Sequence, residues 1–258
     1  MNALLTSVRT GNSILYWFGL ICLIGASICG VLALTTTQQV MGINAFIKPT
    51  KFFVSIWVFC WTMALYLPLL ARPVAATIYA WMVGLVLTFE MVAVVGQAAL
   101  GKLSHFNISS ARDALLFAAM GIAITIFTLW TAYISVLFFT LKTQTVPASY
   151  VWGIRLGILL FVVFAFEGGI MASQLSHTVG APDGGLGLPV TNWSKRNGDL
   201  RVAHFFGMHA LQLLPLYGYY VARRPRQVII AACLYATFVT VVLIQALSGK
   251  PLLLSLLD

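Results

Sequence analysis

Two stretches of this chain set the same polar residues into apolar sequence: FEMVAVVGQAALGKLSH over 89–105 and FEGGIMASQLSH over 166–177. Each opens on Phe-Glu, with Glu90 or Glu167, and carries a glutamine seven residues on, Gln97 or Gln174. Each closes on Leu-Ser-His, with His105 or His177. Residues seven apart lie nearly two helical turns apart, so each glutamate shares a helix face with its glutamine. A third polar set, His204, His209 and Gln212, follows in HFFGMHALQ.

Such residues serve several chemistries. Carboxylates and imidazoles are ligands that zinc, iron or copper accepts, and two histidines on different helices suit the axial positions of a haem. On this leading reading Glu90, Glu167 and His209 form the inner shell of a redox or hydrolytic centre acting on a lipid-soluble or small-molecule substrate. His105, His177, His204, Gln97, Gln174 and Gln212 stand around it as further ligands or cofactor contacts. The alternative is a transporter or channel in which the same carboxylates relay protons or hold a cation. The third is a structural or partner-binding membrane protein, with the carboxylates locking helices together. No HExxH motif and no Glu-x-x-His pair of the di-iron type occurs, so a metal site has to be assembled across helices. Lys48 and Lys51, where the second apolar run opens, and Asp199 and Arg201, before the sixth, are contacts for an anionic substrate or a lipid headgroup.

The elements that position these residues are set by composition. Of 258 residues 60% are hydrophobic and 8% charged, with a mean hydropathy of +0.96, against about 25% charged in soluble domains. So few charges cannot cover a water-facing surface, and lipid must solvate most of the chain. Seven apolar runs are long enough to span a bilayer: 13–34, 50–71, 74–100, 114–141, 150–172, 203–222 and 227–247. Lipid leaves helices as the way to satisfy their backbones. The expected fold is therefore all-α, a single integral membrane domain of seven transmembrane helices. The first run is too long for a signal-peptide core, and no A-x-A site follows it.

At ~1.5 Å per residue Glu90 and Glu167 lie about 25 Å from one end of their runs, and His209 about 9 Å from the other. All three are expected in the outer half of the membrane, where a lipid-facing charge would cost about 2.5–3.5 kcal/mol. His204, five residues before His209, is about 140° away around the helix.

The match between the two stretches continues into the loops, pairing Asn107, Arg112 and Asp113 with Asn192, Arg196 and Asp199. It predicts a repeated helical hairpin, spans three and four with spans five and six. QALSGK at Gln245 echoes QAALGK at Gln97.

Arg9, Arg72, Lys142, Arg155, Arg223, Arg224 and Arg226 fall on the side of the N-terminus, without an acid. Lys48, Lys51, Lys102, Arg112, Lys195, Arg196, Arg201 and Lys250 fall on the other, with Asp113, Asp183, Asp199 and Asp258. The basic residues nearly balance. The short basic turns of the first side place the N-terminus in the cytoplasm and the C-terminus outside the cell membrane. The net charge of +9 comes without a basic run interleaved with aromatics, so no nucleic-acid partner is expected. Cys22, Cys29, Cys60 and Cys233 form no CxxC pair and are read as small packing residues.

Overall fold

The computed structural model describes residues 2–142 and 145–252; Asp258, assigned above to the outer side, lies outside the described residues. The helices are α1 (Asn2–Gly11), α2 (Ser13–Thr35), α3 (Ile47–Tyr66), α4 (Pro73–Ala99), α5 (Ala111–Thr140), α6 (Ala148–Phe166), α7 (Gly168–Ser173), α8 (Leu200–Tyr220) and α9 (Pro225–Leu247). Among the described residues strand structure amounts to two-residue ladders within the loops, Gln39–Val40 with Ile43–Asn44 and Thr178–Val179 with Gly198–Asp199, and one bridge, Gly187 with Ser194.

Among the described residues six helical stretches are long and apolar enough to cross a membrane: Ser13–Thr35, Ile47–Leu70, Pro73–Ala99, Ala111–Thr140, Ala148–Ser173 and Pro225–Leu247. The chain is thus an all-α, multi-pass membrane protein. The expected sixth span forms as α8, 21 residues long. Arg201, His204, His209 and Gln212 lower its hydropathy, and it is not one of the six. The fifth expected span is one apolar stretch interrupted at Glu167, which ends α6 and starts α7.

The chain divides into two compact units, Met1–Trp130 and Thr131–Asp258, with the boundary inside α5. In the first unit α2 and α3 pack against each other and each against α4, while α1 lies against α2 and α3. On α2 the buried positions are Leu15, Gly19, Cys22, Ala26 and Cys29. Ile21, Ile24, Ile28 and Val31 are exposed on the opposite face. Small residues inward and branched apolar residues outward is the pattern of a helix solvated by lipid, where close van der Waals packing drives association.

In the second unit α6, α8 and α9 pack pairwise. The α6–α8 contact is backbone against backbone. A Cβ at Gly153 would stand 2.6 Å from the Leu214 carbonyl oxygen, and one at Gly157 2.8 Å from that of Ala210. The Gly-x-x-x-Gly spacing on α6 thus makes the approach possible. Phe164, Val202, Ala203, Val239 and Val242 fill the space toward α9. Cys22, Cys29 and Cys60 are buried packing residues as expected, but Cys233 is exposed on α9.

The helix ends bear on the repeat. At the end of α4 the Lys102 N–H bonds to the Gln97 carbonyl and the Gly101 N–H to that of Ala98, with Gly101 at φ +67°. At the end of α9 the Lys250 N–H bonds to Gln245 and the Gly249 N–H to Ala246, with Gly249 at φ +75°. Both are Schellman caps with a left-handed glycine. In both, the glutamine amide also donates to the carbonyl six residues on, Leu103 or Pro251. Gln174 differs: it is itself the cap residue, and its amide bonds Ser176, two residues on. Asp113 lies within the first turn of α5, whereas Asp199 precedes α8 as its N-cap. α7 closes on the same pair of bonds, the Ser176 N–H to the Met171 carbonyl and the Leu175 N–H to that of Ala172, with Leu175 at φ +54°; Gln174 stands three residues out of register with Gln97 in this cap, whereas Gln245 is in register.

Candidate functional site

Each unit holds a buried glutamate. In the first, Glu90 lies on α4, 5% exposed, and its Oε1 has no hydrogen-bond partner among the described residues. Lys48, in the first turn of α3, exerts the Coulombic pull on it. The Lys48 Nζ also stands 3.2 Å from Nδ1 of His105 and 5.7 Å from the centre of the Phe52 ring. An ammonium can only donate, so Nδ1 accepts and the imidazole proton sits on Nε2. His105, in the α4–α5 loop, is half-buried against Phe52, Phe106 and Phe117. Burial first, and Lys48 second, hold its pKa well below the usual histidine value. It is a neutral acceptor at pH 7. Lys51, three residues after Lys48, is half-buried on the same helix.

Gln97 does not join Glu90. Its amide donates to Asp113 Oδ1 at 2.9 Å, and Asp113 Oδ2 pairs with Lys102 at 3.0 Å. Ser109 and Ser110 add hydroxyl bonds to the same carboxylate. This network ties the two ends of the α4–α5 loop together. Spacing reveals Ser110 and Asp113 as a helix start; their link to Gln97 exists only once the loop has folded back.

In the second unit Glu167, 5% exposed, occupies the interruption between α6 and α7, and neither carboxylate oxygen has a hydrogen-bond partner among the described residues. The interruption frees carbonyls that a continuous helix would use. That of Phe164 accepts from His204 Nδ1 at 2.7 Å. His204 is therefore the Nδ1–H tautomer, with the Nε2 lone pair facing away from that bond. Gly168 lies beside the imidazole: a Cβ there would be 3.6 Å from His204 Cε1. His209 is half-buried, with Nδ1 3.2 Å from Gln212 Oε1 and its ring 4.3 Å from that of Phe205.

The remaining residues of this unit meet in the long loop. The His177 Nδ1 stands 3.2 Å from Asp183 Oδ1 and 3.9 Å from Asp199 Oδ1. Asp183 accepts the backbone N–H groups of His177 and Thr178. Asp199, 2% exposed, accepts from the Ser194 N–H and from the Arg201 N–H and guanidinium, the last at 2.6 Å. Burial acts to raise the Asp199 pKa, but Arg201, the Ser194 N–H and His177 outweigh it and hold the carboxyl below its usual value. Arg201 also donates to the Asn192 carbonyl, and Trp193 packs on Phe205 and Phe206. The loop is thus a folded element docked on the start of α8. Asp183 was not singled out by sequence; Asp-Gly-Gly marks it only as a turn residue.

Of the sequence-derived set, then, the fold brings Lys48 together with His105 and within the field of Glu90. It pairs His209 with Gln212, and His177 with Asp199. Among the described residues no group of three His, Cys, Asp or Glu side chains is arranged to hold one metal ion, so the zinc, iron or copper centre gains no ligand set here. His204 and His209 share α8 but have separate partners, and Gln174 is exposed.

No protein-family model, curated protein or solved structure matches the chain.

Proposed function

We propose that this membrane protein moves protons or a small cation across the bilayer, with Glu167 and Glu90 as the groups that carry the charge. The observation that supports this most is the buried Glu167 carboxylate, unpartnered at both oxygens among the described residues and standing where α6 gives way to α7 within one apolar stretch. An ionised carboxylate in a membrane interior is costly, and such residues mark ion paths and proton relays. A proton or a cation relieves that cost, and interrupted helices are where transporters place such sites. The Gly168-Gly169 pair lowers the helical preference next to the carboxylate. His204, across on α8, presents an imidazole whose Nε2 can take a proton while Nδ1 stays bonded to Phe164. Glu90 serves in the first unit, with Lys48 balancing its charge in the absence of cargo.

The architecture fits a duplicated three-helix unit: α2, α3 and α4 pack pairwise in one unit and α6, α8 and α9 in the other. Both last helices open on proline at the first turn and close on the same glutamine–glycine cap. This replaces the hairpin as the proposed repeat, with α5 joining the two copies.

The test is proton flux into liposomes holding the purified chain, read with a trapped pH dye under an imposed potassium diffusion potential. Glu167→Gln and Glu90→Gln are each expected to abolish flux while the protein still elutes as a folded species. Undiminished flux in the double variant sinks the proposal.

A further inference from the structure

Within the second unit the turn between α8 and α9 lies at the far end of α8 from His204, which meets the helix that carries Glu167. Arg223, Arg224, Arg226, Gln227 and Ile230 line a cavity there of about 460 Å³. All three arginines are exposed, and none takes part in an ion pair among the described residues. We propose that this cavity binds the phosphate group of an anionic phospholipid.

The turn itself does not need so many cations. In the first unit α4 also opens on proline after a short turn, Ala71-Arg72-Pro73, with one arginine where Ala222-Arg223-Arg224-Pro225-Arg226 has three. Nor does α9 benefit from them. The positive end of the helix dipole is at its N-terminus, where cations are disfavoured, and its first turn holds no acidic residue. An anion in the cavity turns both penalties into attraction. The backbone N–H groups of Arg223 and Arg224 are already bonded to Gln227 Oε1, at 2.8 and 3.1 Å. Recognition therefore falls to the guanidinium forks, whose planar donors match phosphate oxygens in pairs.

The surroundings favour a lipid as the source of the phosphate. Tyr219, Tyr220 and Val221 are exposed at the end of α8, and Ile230 is exposed one turn into α9. Tyrosine at a helix end is a membrane-interface anchor, and the exposed apolar side chains beside the arginines give the acyl chains a surface to lie on.

The experiment titrates the delipidated full chain in mild detergent with short-chain phosphatidylglycerol, the matching phosphatidylcholine and inorganic phosphate. Bound lipid is counted by native mass spectrometry and protection read from thermal unfolding. Phosphatidylglycerol is expected to bind about tenfold more tightly than phosphatidylcholine, and Arg223→Gln with Arg226→Gln to weaken it about twenty-fivefold, on the order of fivefold per arginine. If the double variant does not fold, Arg226→Gln alone is read, with the fivefold loss. Equal binding of the two lipids, or binding unchanged in the variants, overturns the proposal. Equal protection by inorganic phosphate also overturns the lipid assignment and gives the cavity to a soluble ion.

Discussion

The Lys48 ammonium lies 3.2 Å from Nδ1 of His105, a contact that joins the start of α3 to the α4–α5 loop and leaves the imidazole neutral. A histidine with a depressed folded pKa binds fewer protons folded than unfolded between that pKa and about 6.5. Stability therefore rises with pH across this window, and is lost as pH falls from above 6.5 toward the folded value. We expect the unfolding temperature to fall between pH 7.5 and 5.5, and His105→Gln to flatten that slope. An equal slope in both proteins would show that His105 is not the titrating group.

Asp199 is held ionised by Arg201 and by the Ser194 N–H. Its lowered pKa contributes stability that is present above about pH 3.9 and lost below it as the carboxyl protonates. Asp199→Asn is expected to cost about 2–3 kcal/mol, since Arg201 keeps its charge without its partner. Hydrogen exchange at the Ser194 and Arg201 amides should accelerate, reporting the loop leaving α8; unchanged exchange would count against the docking role.

The α6–α8 contact makes a steric prediction. Gly157→Leu puts a side chain where even a Cβ would stand 2.8 Å from the Ala210 carbonyl oxygen. Overpacking of this kind costs about 1–3 kcal/mol or more, so the variant should lose monodisperse elution or unfold at lower temperature. Gly84→Leu is the control, because nothing lies within 4 Å of a Cβ there, and it should behave as wild type.

Orientation is read by labelling. With the N-terminus in the cytoplasm, Lys195→Cys should react with a membrane-impermeant thiol reagent added to whole cells, and Arg224→Cys only after lysis. The opposite result would invert the proposed topology.

The sequence by itself determined the class and most helix positions, because a run of some twenty apolar residues in lipid has one common way to satisfy its backbone. Ser13 opens α2 where the apolar run begins, and Pro73 and Pro225 open α4 and α9 within two residues of the expected starts. The polar residues were legible too, since Glu90 and Glu167 stand out in apolar surroundings and both are buried. What those residues touch was decided by the tertiary structure. Gln97 and Gln174 match in sequence spacing, yet one reaches Asp113 and the other only Ser176, because helix ends and loop closure set a side chain's neighbours. The His204 bond to Phe164 arises from α6 lying against α8, whereas the glycines beside Glu167 are already in the sequence. Periodicity is a property of one helix, whereas a site is a property of the contacts between helices, and those depend on which small residues let two backbones meet.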